Sequence, residues 1–168
     1  MSDSQALLRW PGYLTWLPRF LFTPDTIPER YIGKAWLTSL LPSVALSAFV
    51  SLVVPEASYP SFRIDGPMAI LLAVIIGPIL ETFLMIPLLL VLDRLFGPGA
   101  AVVGSALLWG VLHSLSAPAW GLIIWWLFLI LSIAFLTWRR VGIGKAFLVV
   151  FAIHALQNGV GVFLMLFE

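Results

Sequence analysis

The chain has 168 residues, of which 61% are hydrophobic and only 10% charged, and its formal net charge is +1. Soluble domains are roughly 45–50% apolar and about 25% charged, so this chain has too few polar groups to cover a surface that faces water. The small net charge gives no sign of nucleic-acid binding. The absence of cysteine excludes disulfides, thiolate metal ligands and a cysteine nucleophile. The composition therefore predicts a single domain integral to a membrane.

The first 34 residues are more polar than the rest and do not resemble a cleavable signal peptide, because charged residues recur throughout them. Residues 7–22 combine tryptophan, tyrosine, phenylalanine and leucine with two arginines, which is typical of a segment in the lipid headgroup region. Pro11 and Pro18 interrupt this stretch and predict two short pieces. Residues 1–34 are interpreted as a cytoplasmic, interfacial segment, and residues 35–168 as the transmembrane domain.

Five windows are apolar enough to cross a bilayer, which needs about 20 residues of helix. They span residues 35–54, 67–92, 100–115, 120–138 and 143–167. Turn-forming residues separate them at 55–67, 97–99, 116–118 and 142–144. The predicted fold class is therefore all-α: a polytopic membrane bundle of about five transmembrane helices with an N-terminal interfacial segment.

The basic residues are distributed asymmetrically along this pattern. If the N-terminus is cytoplasmic, eight of the nine lysines and arginines fall on the cytoplasmic side, and only Arg63 falls on the other. This asymmetry follows the positive-inside rule and predicts a cytoplasmic N-terminus and an external C-terminus. Together with the small size, it favours a bacterial cytoplasmic membrane.

Three of the five windows contain strongly polar residues. The second contains Glu81, the third His113 and the fifth His154 with Asn158 four residues later. A charged side chain at the centre of a span costs at least about 2.5–3.5 kcal/mol, so such residues usually have a function. The structural alternatives are a carboxyl group bonded to a neighbouring helix, an interfacial histidine, and hydrogen bonds that join helices.

The second window also contains Gly77 and Pro78. Proline lacks the backbone donor of a helix and clashes with the preceding turn. We therefore expect a kink at Pro78 that frees backbone carbonyls just before Glu81, and these carbonyls need partners from the protein or from water.

These residue types predict hydrolysis without a side-chain nucleophile. A partly desolvated Glu81 can act as a general base on water, and His113 can bind the same water. His154 and Asn158 can donate to a tetrahedral intermediate. Three further residues are assigned supporting roles: Thr82, Trp109 (one helical turn before His113, where its ring can orient the imidazole) and Gln157.

Metal and serine chemistry are the alternatives. One carboxylate and two histidines match a His₂Glu zinc shell, but no compact ligand motif such as H-E-x-x-H is present. No cofactor is therefore predicted, and zinc is kept as an alternative. Ser105 and Ser114 lack the G-x-S-x-G context of a serine hydrolase.

Three short motifs resemble those of the CAAX prenyl-protease and bacteriocin-processing family, also called the Abi family. Residues 81–86 (ETFLMI) resemble its Glu-Glu-x-x-x-Arg motif, residues 109–113 (WGVLH) its aromatic-x-x-x-His motif, and residues 154–158 (HALQN) its His-x-x-x-Asn motif. Their order and spacing agree with the family over about residues 66–162. Two positions differ, because Thr82 replaces the second glutamate and Ile86 the arginine.

The resemblance implies a metal-independent, glutamate-dependent intramembrane endopeptidase. Glu81 would be the general base, His113 would position water, and His154 and Asn158 would form the oxyanion site. The expected substrate is a membrane-associated or exported peptide or protein. Two alternatives from other classes are a catalytically inactive member that acts as a bacteriocin-immunity or scaffold protein, and a small proton-linked carrier.

Overall fold

The computed structural model describes residues 10–54 and 67–165, and within these ranges every regular element is helical. Two 3₁₀ turns, Gly12–Leu14 and Arg19–Phe22, precede α1 (Pro28–Val53). Then follow α2 (Pro67–Ile70), a π-helical turn (Leu71–Ile76), α3 (Gly77–Ser114), α4 (Pro118–Trp138) and α5 (Ile143–Met165). Three parts of the predicted elements lie outside the described residues: 1–9, the turn at 55–66 with Arg63, and 166–168.

The all-α membrane fold is confirmed, with one fewer long apolar helix than predicted. In the described part of the chain, four helices are long and apolar enough to cross a membrane, not five. The difference arises because the predicted second and third spans lie in one run, Leu71–Ser114, of 44 residues. A straight helix of that length would measure roughly 66 Å, about twice the thickness of a bilayer core.

This long run reverses its direction at Gly97, whose φ of 80° and ψ of 171° are not helical. Pro98 disfavours helical geometry in the residue before it, and it then serves as the first residue of the next helical stretch. The arms 77–96 and 98–114 consequently lie side by side. A Cβ atom on Gly104 would be 3.4 Å from Leu92 Cδ1, a contact that no straight helix allows at that separation.

The helix α4 forms the centre of the bundle. Its sequence is apolar on every side, and a helix of that kind is buried rather than exposed on one face. Most of its residues are buried, including Phe128, Leu131 and Phe135. Ser132 Oγ donates to Ser105 Oγ at 3.1 Å, so the two buried hydroxyls satisfy each other between α4 and the second arm of α3.

The N-terminal segment forms two short pieces, as its prolines predict. Pro11 and Pro18 cap the two 3₁₀ turns. Leu14, Leu17 and Leu21 are buried against the helices. Tyr31 Oη and Thr137 Oγ1 both donate to the Leu21 carbonyl at 2.9 Å, which ties the segment to α1 and to the end of α4.

The two ends of the bundle differ in charge. At one end, Arg139 donates to Asp93 at 2.5 Å and joins α4 to the first arm of α3. We call the opposite end, where α1 and α5 end and α4 begins, the site end. Apart from Glu81, His113 and His154, the described residues of the site end have no ionisable side chains.

Candidate active site

Pro78 interrupts the regular hydrogen bonding of the helix just before Glu81. A π-helical turn precedes Pro78. Gly77, the residue before the proline, therefore donates its N–H to the Leu72 carbonyl rather than to that of Ala73. In the π register the donor to Ala73 would be Pro78, which has no N–H group. The Ala73 carbonyl is thereby left without a backbone donor, so one carbonyl is freed before Glu81. By contrast, backbone angles around Pro87 remain helical.

Asn158 of α5 supplies the missing donor. Its Nδ2 donates to the Ala73 carbonyl at 2.9 Å. An unpaired carbonyl in an apolar interior is costly, so this bond secures α5 against the π-helical turn. Nδ2 carries two hydrogens, so one of them remains for the predicted role of Asn158 as an oxyanion donor.

Glu81 lies on the first turns of α3 and faces both histidines of the chain. Its Oε1 is 4.0 Å from His113 Nε2, and its Oε2 is 3.5 Å from His154 Nε2. The predicted convergence of these residues is therefore present in the structure. The side chain of Glu81 is 29% exposed, whereas those of His113 and His154 are 11% and 2% exposed.

Trp109 orients His113 through its backbone. His113 Nδ1 is 2.8 Å from the Trp109 carbonyl, which can only accept, so Nδ1 donates the hydrogen. In the neutral imidazole, Nε2 therefore presents a lone pair toward Glu81. The ring of Trp109 also contacts the imidazole, with centroids 5.9 Å apart, as the four-residue spacing predicts.

Phe128 of α4 contacts both imidazoles and was not among the predicted site residues. Its ring stacks on Trp109 with centroids 4.6 Å apart. It lies 5.5 Å from the rings of His113 and His154, measured between centroids. Trp120 packs edge-on against His113 at 4.6 Å. The sequence does not distinguish Phe128 and Trp120 from the other aromatic residues of the spans. Only the three-dimensional packing shows that they contact the histidines.

His154 is the most enclosed of the polar residues in the site. Its Nε2 faces the Glu81 carboxylate, which favours the tautomer with the hydrogen on that nitrogen. Its Nδ1 is buried with no hydrogen-bond partner among the described residues. The Oε1 atom of Gln157 is also buried and lacks a partner in that part of the chain.

The two positions that depart from the family motif face the protein interior. Thr82 is 1% exposed, and its hydroxyl has no hydrogen-bond partner within the described residues. Ile86 is partly buried and packs against the hydrophobic core. Apolar packing can replace a buried ion pair without loss of stability, so these residues are compatible with a stable bundle around Glu81.

Ser105 lies in the core between α3 and α4, bonded to Ser132, and takes no part in the site. Within residues 10–54 and 67–165, no three His, Cys, Asp or Glu side chains are arranged as a group that could hold a metal ion.

Comparisons of this chain with protein-family models, curated proteins and solved structures found no match.

Proposed function

We propose that this protein is a metal-independent intramembrane endopeptidase in which Glu81 activates water. The observation that supports the proposal most strongly is the position of the Glu81 carboxylate between the Nε2 atoms of His113 and His154. Three helical segments distant in sequence supply these groups within an apolar bundle. The three motifs that resemble the CAAX prenyl-protease and bacteriocin-processing family support the same reaction.

A water molecule fits the geometry between Glu81 and His113. The 4.0 Å between Oε1 and Nε2 is too long for a direct hydrogen bond, and a single water can bridge such a gap. In the proposed reaction, Glu81 removes a proton from this water while the Nε2 lone pair of His113 accepts its other hydrogen. The water oxygen then attacks the carbonyl carbon of the peptide bond.

The remaining groups position the base and complete the reaction. His154 Nε2 lies 3.5 Å from Glu81 Oε2, and in the proposed reaction it donates to the carboxylate and holds it in place. The second amide hydrogen of Asn158 is available to the oxyanion that forms. When the tetrahedral intermediate collapses, the protonated Glu81 returns its proton to the leaving amine, so the peptide bond is broken and Glu81 is regenerated as a carboxylate.

The test compares protein ends in cells that lack this protein and are complemented with wild type, Glu81→Gln or Glu29→Gln. Glu29 is exposed at the start of α1, so the third variant makes the same chemical change far from the site. Mass spectrometry of new peptide ends in membrane and secreted fractions is the readout, with all three proteins shown to accumulate equally.

We expect a set of ends that appears with wild type and Glu29→Gln and is absent with Glu81→Gln. If Glu81→Gln produces the same ends as wild type, or restores the wild-type phenotype without any new ends, the catalytic proposal is wrong. The second of these results would favour a scaffold or immunity protein.

A further inference from the structure

A cavity of about 220 Å³ lies beside the candidate active site, at the site end of the bundle. Its walls come from α1, the π-helical turn, α4 and α5. Ala73, Trp120 and Asn158 belong to both the cavity and the surroundings of the site. Trp120 contacts the His113 ring, and Asn158 lies one turn from His154. A molecule in the cavity is therefore adjacent to the residues around Glu81.

The cavity opens toward lipid. Val44 of α1 and Leu164 of α5 line it and are 48% and 54% exposed. Apolar residues this exposed on helices of a membrane bundle contact hydrocarbon, so lipid borders the cavity at its α1 and α5 walls. In the described part of the chain, no lysine, arginine, aspartate or glutamate lines it.

Two buried polar atoms in this apolar cavity lack partners among the described residues. Ser43 is 6% exposed and lines the cavity, and its Oγ has no hydrogen-bond partner there. Gln157 Oε1, on the α5 wall of the cavity, is also buried and has no hydrogen-bond partner among the described residues. Buried polar groups are normally paired, so each such atom in a native structure needs an explanation.

We propose that the cavity is a substrate subsite for a large apolar side chain of a peptide segment that enters laterally from the membrane. Cavities of roughly 150 Å³ already hold a benzene ring, so one aromatic or branched aliphatic side chain fits. An acyl chain would leave Ser43 and Gln157 unpaired, whereas a peptide backbone offers N–H groups to Gln157 Oε1 and carbonyls to the Ser43 hydroxyl. This inference rests on the proposed function and adds its substrate class.

Gly161 offers a way to fill the cavity without disturbing the bundle. It lines the cavity, and a Cβ atom there would have no neighbour within 4 Å. Gly161→Phe therefore occupies the space intended for the substrate. Gly144→Phe is the matched control, because Gly144 lies on the first turn of α5 at the other end of the bundle and is equally free of neighbours. Val44→Phe fills the same cavity independently from the α1 wall.

The experiment maps new peptide ends, as for Glu81→Gln, in cells that express each of these variants at equal levels. We expect Gly161→Phe and Val44→Phe to reduce, at least tenfold, the ends with a large apolar residue at one fixed distance from the cut, since pocket contacts discriminate by roughly that factor or more. Ends with alanine or glycine at that position should persist, and Gly144→Phe should match wild type.

Two results would contradict the proposed subsite, and only the second of them also contradicts the proposed function. If Glu81-dependent ends exist but both cavity-filling variants give the wild-type profile, the subsite is wrong while the protease proposal stands. If no ends depend on Glu81, the proposed function fails and the subsite fails with it.

Discussion

At the scale of single residues, the site depends on three ionisable side chains that lipid penalises, and the bundle brings them together: Glu81, His113 and His154. The direct contact of Asn158 with the Ala73 carbonyl depends on hydrogen bonding in a π-helical turn. Its partner is a backbone atom of an alanine, which no residue pattern identifies.

Asn158→Ala should reveal this structural bond. The substitution leaves the Ala73 carbonyl unpaired, and we expect the free energy of unfolding to fall by about 1–3 kcal/mol, the cost of a buried acceptor without a donor. Unfolding of the purified protein in detergent micelles measures the change. Gln157→Ala is the matched control, because the side-chain oxygen Oε1 of Gln157 has no hydrogen-bond partner among the described residues. Equal stability of wild type and Asn158→Ala would contradict the assignment.

At the scale of helices, the apolar windows of the sequence predict where the helices lie. The number of separate helices depends on the single turn at Gly97. Gly97, Pro98 and Gly99 mark a break in the sequence, and the chain does reverse there. The helical stretches on either side of Gly97 correspond to the two predicted spans, and this one non-helical residue joins them. The central position of α4 follows from its lack of charged residues, but which helices surround it depends on packing between distant segments.

Gly97→Ala tests the importance of the reversal. Gly97 has φ 80° and ψ 171°, a conformation essentially restricted to glycine, and a side chain there costs of order 1–3 kcal/mol. No atom lies within 4 Å of the added Cβ, so the loss reflects the backbone alone. Thermal unfolding in micelles should show lower stability for Gly97→Ala. Gly33→Ala, within α1, should be neutral or slightly stabilising, and a neutral Gly97→Ala would contradict the assigned geometry.

At the scale of the whole molecule, membrane integration follows from composition, and the four long apolar helices agree with it. The cavity beside the site could not have been predicted, because it is formed by surfaces of four elements that are each apolar in the ordinary way. The orientation in the membrane remains a prediction from the distribution of lysine and arginine.

The absence of cysteine allows a direct test of this orientation. Ser116→Cys places one thiol in the turn before α4, at the site end, and Val141→Cys places one in the turn before α5, at the opposite end. We expect a membrane-impermeant maleimide to label Ser116→Cys in intact cells and Val141→Cys only after the cells are opened. The reverse pattern would show that the N-terminus is external.

The central claim, hydrolysis by a water that Glu81 activates, is tested most directly with the purified protein in liposomes. The substrate is a peptide that spans one of the cleavage sites identified from the new peptide ends. We predict a loss of at least about 100-fold in kcat for Glu81→Gln, the typical contribution of general base catalysis, unchanged turnover for Glu29→Gln, and unchanged turnover of wild type after treatment with a zinc chelator. Turnover by Glu81→Gln at the wild-type rate would contradict the claim, and loss of wild-type activity with the chelator would favour zinc instead.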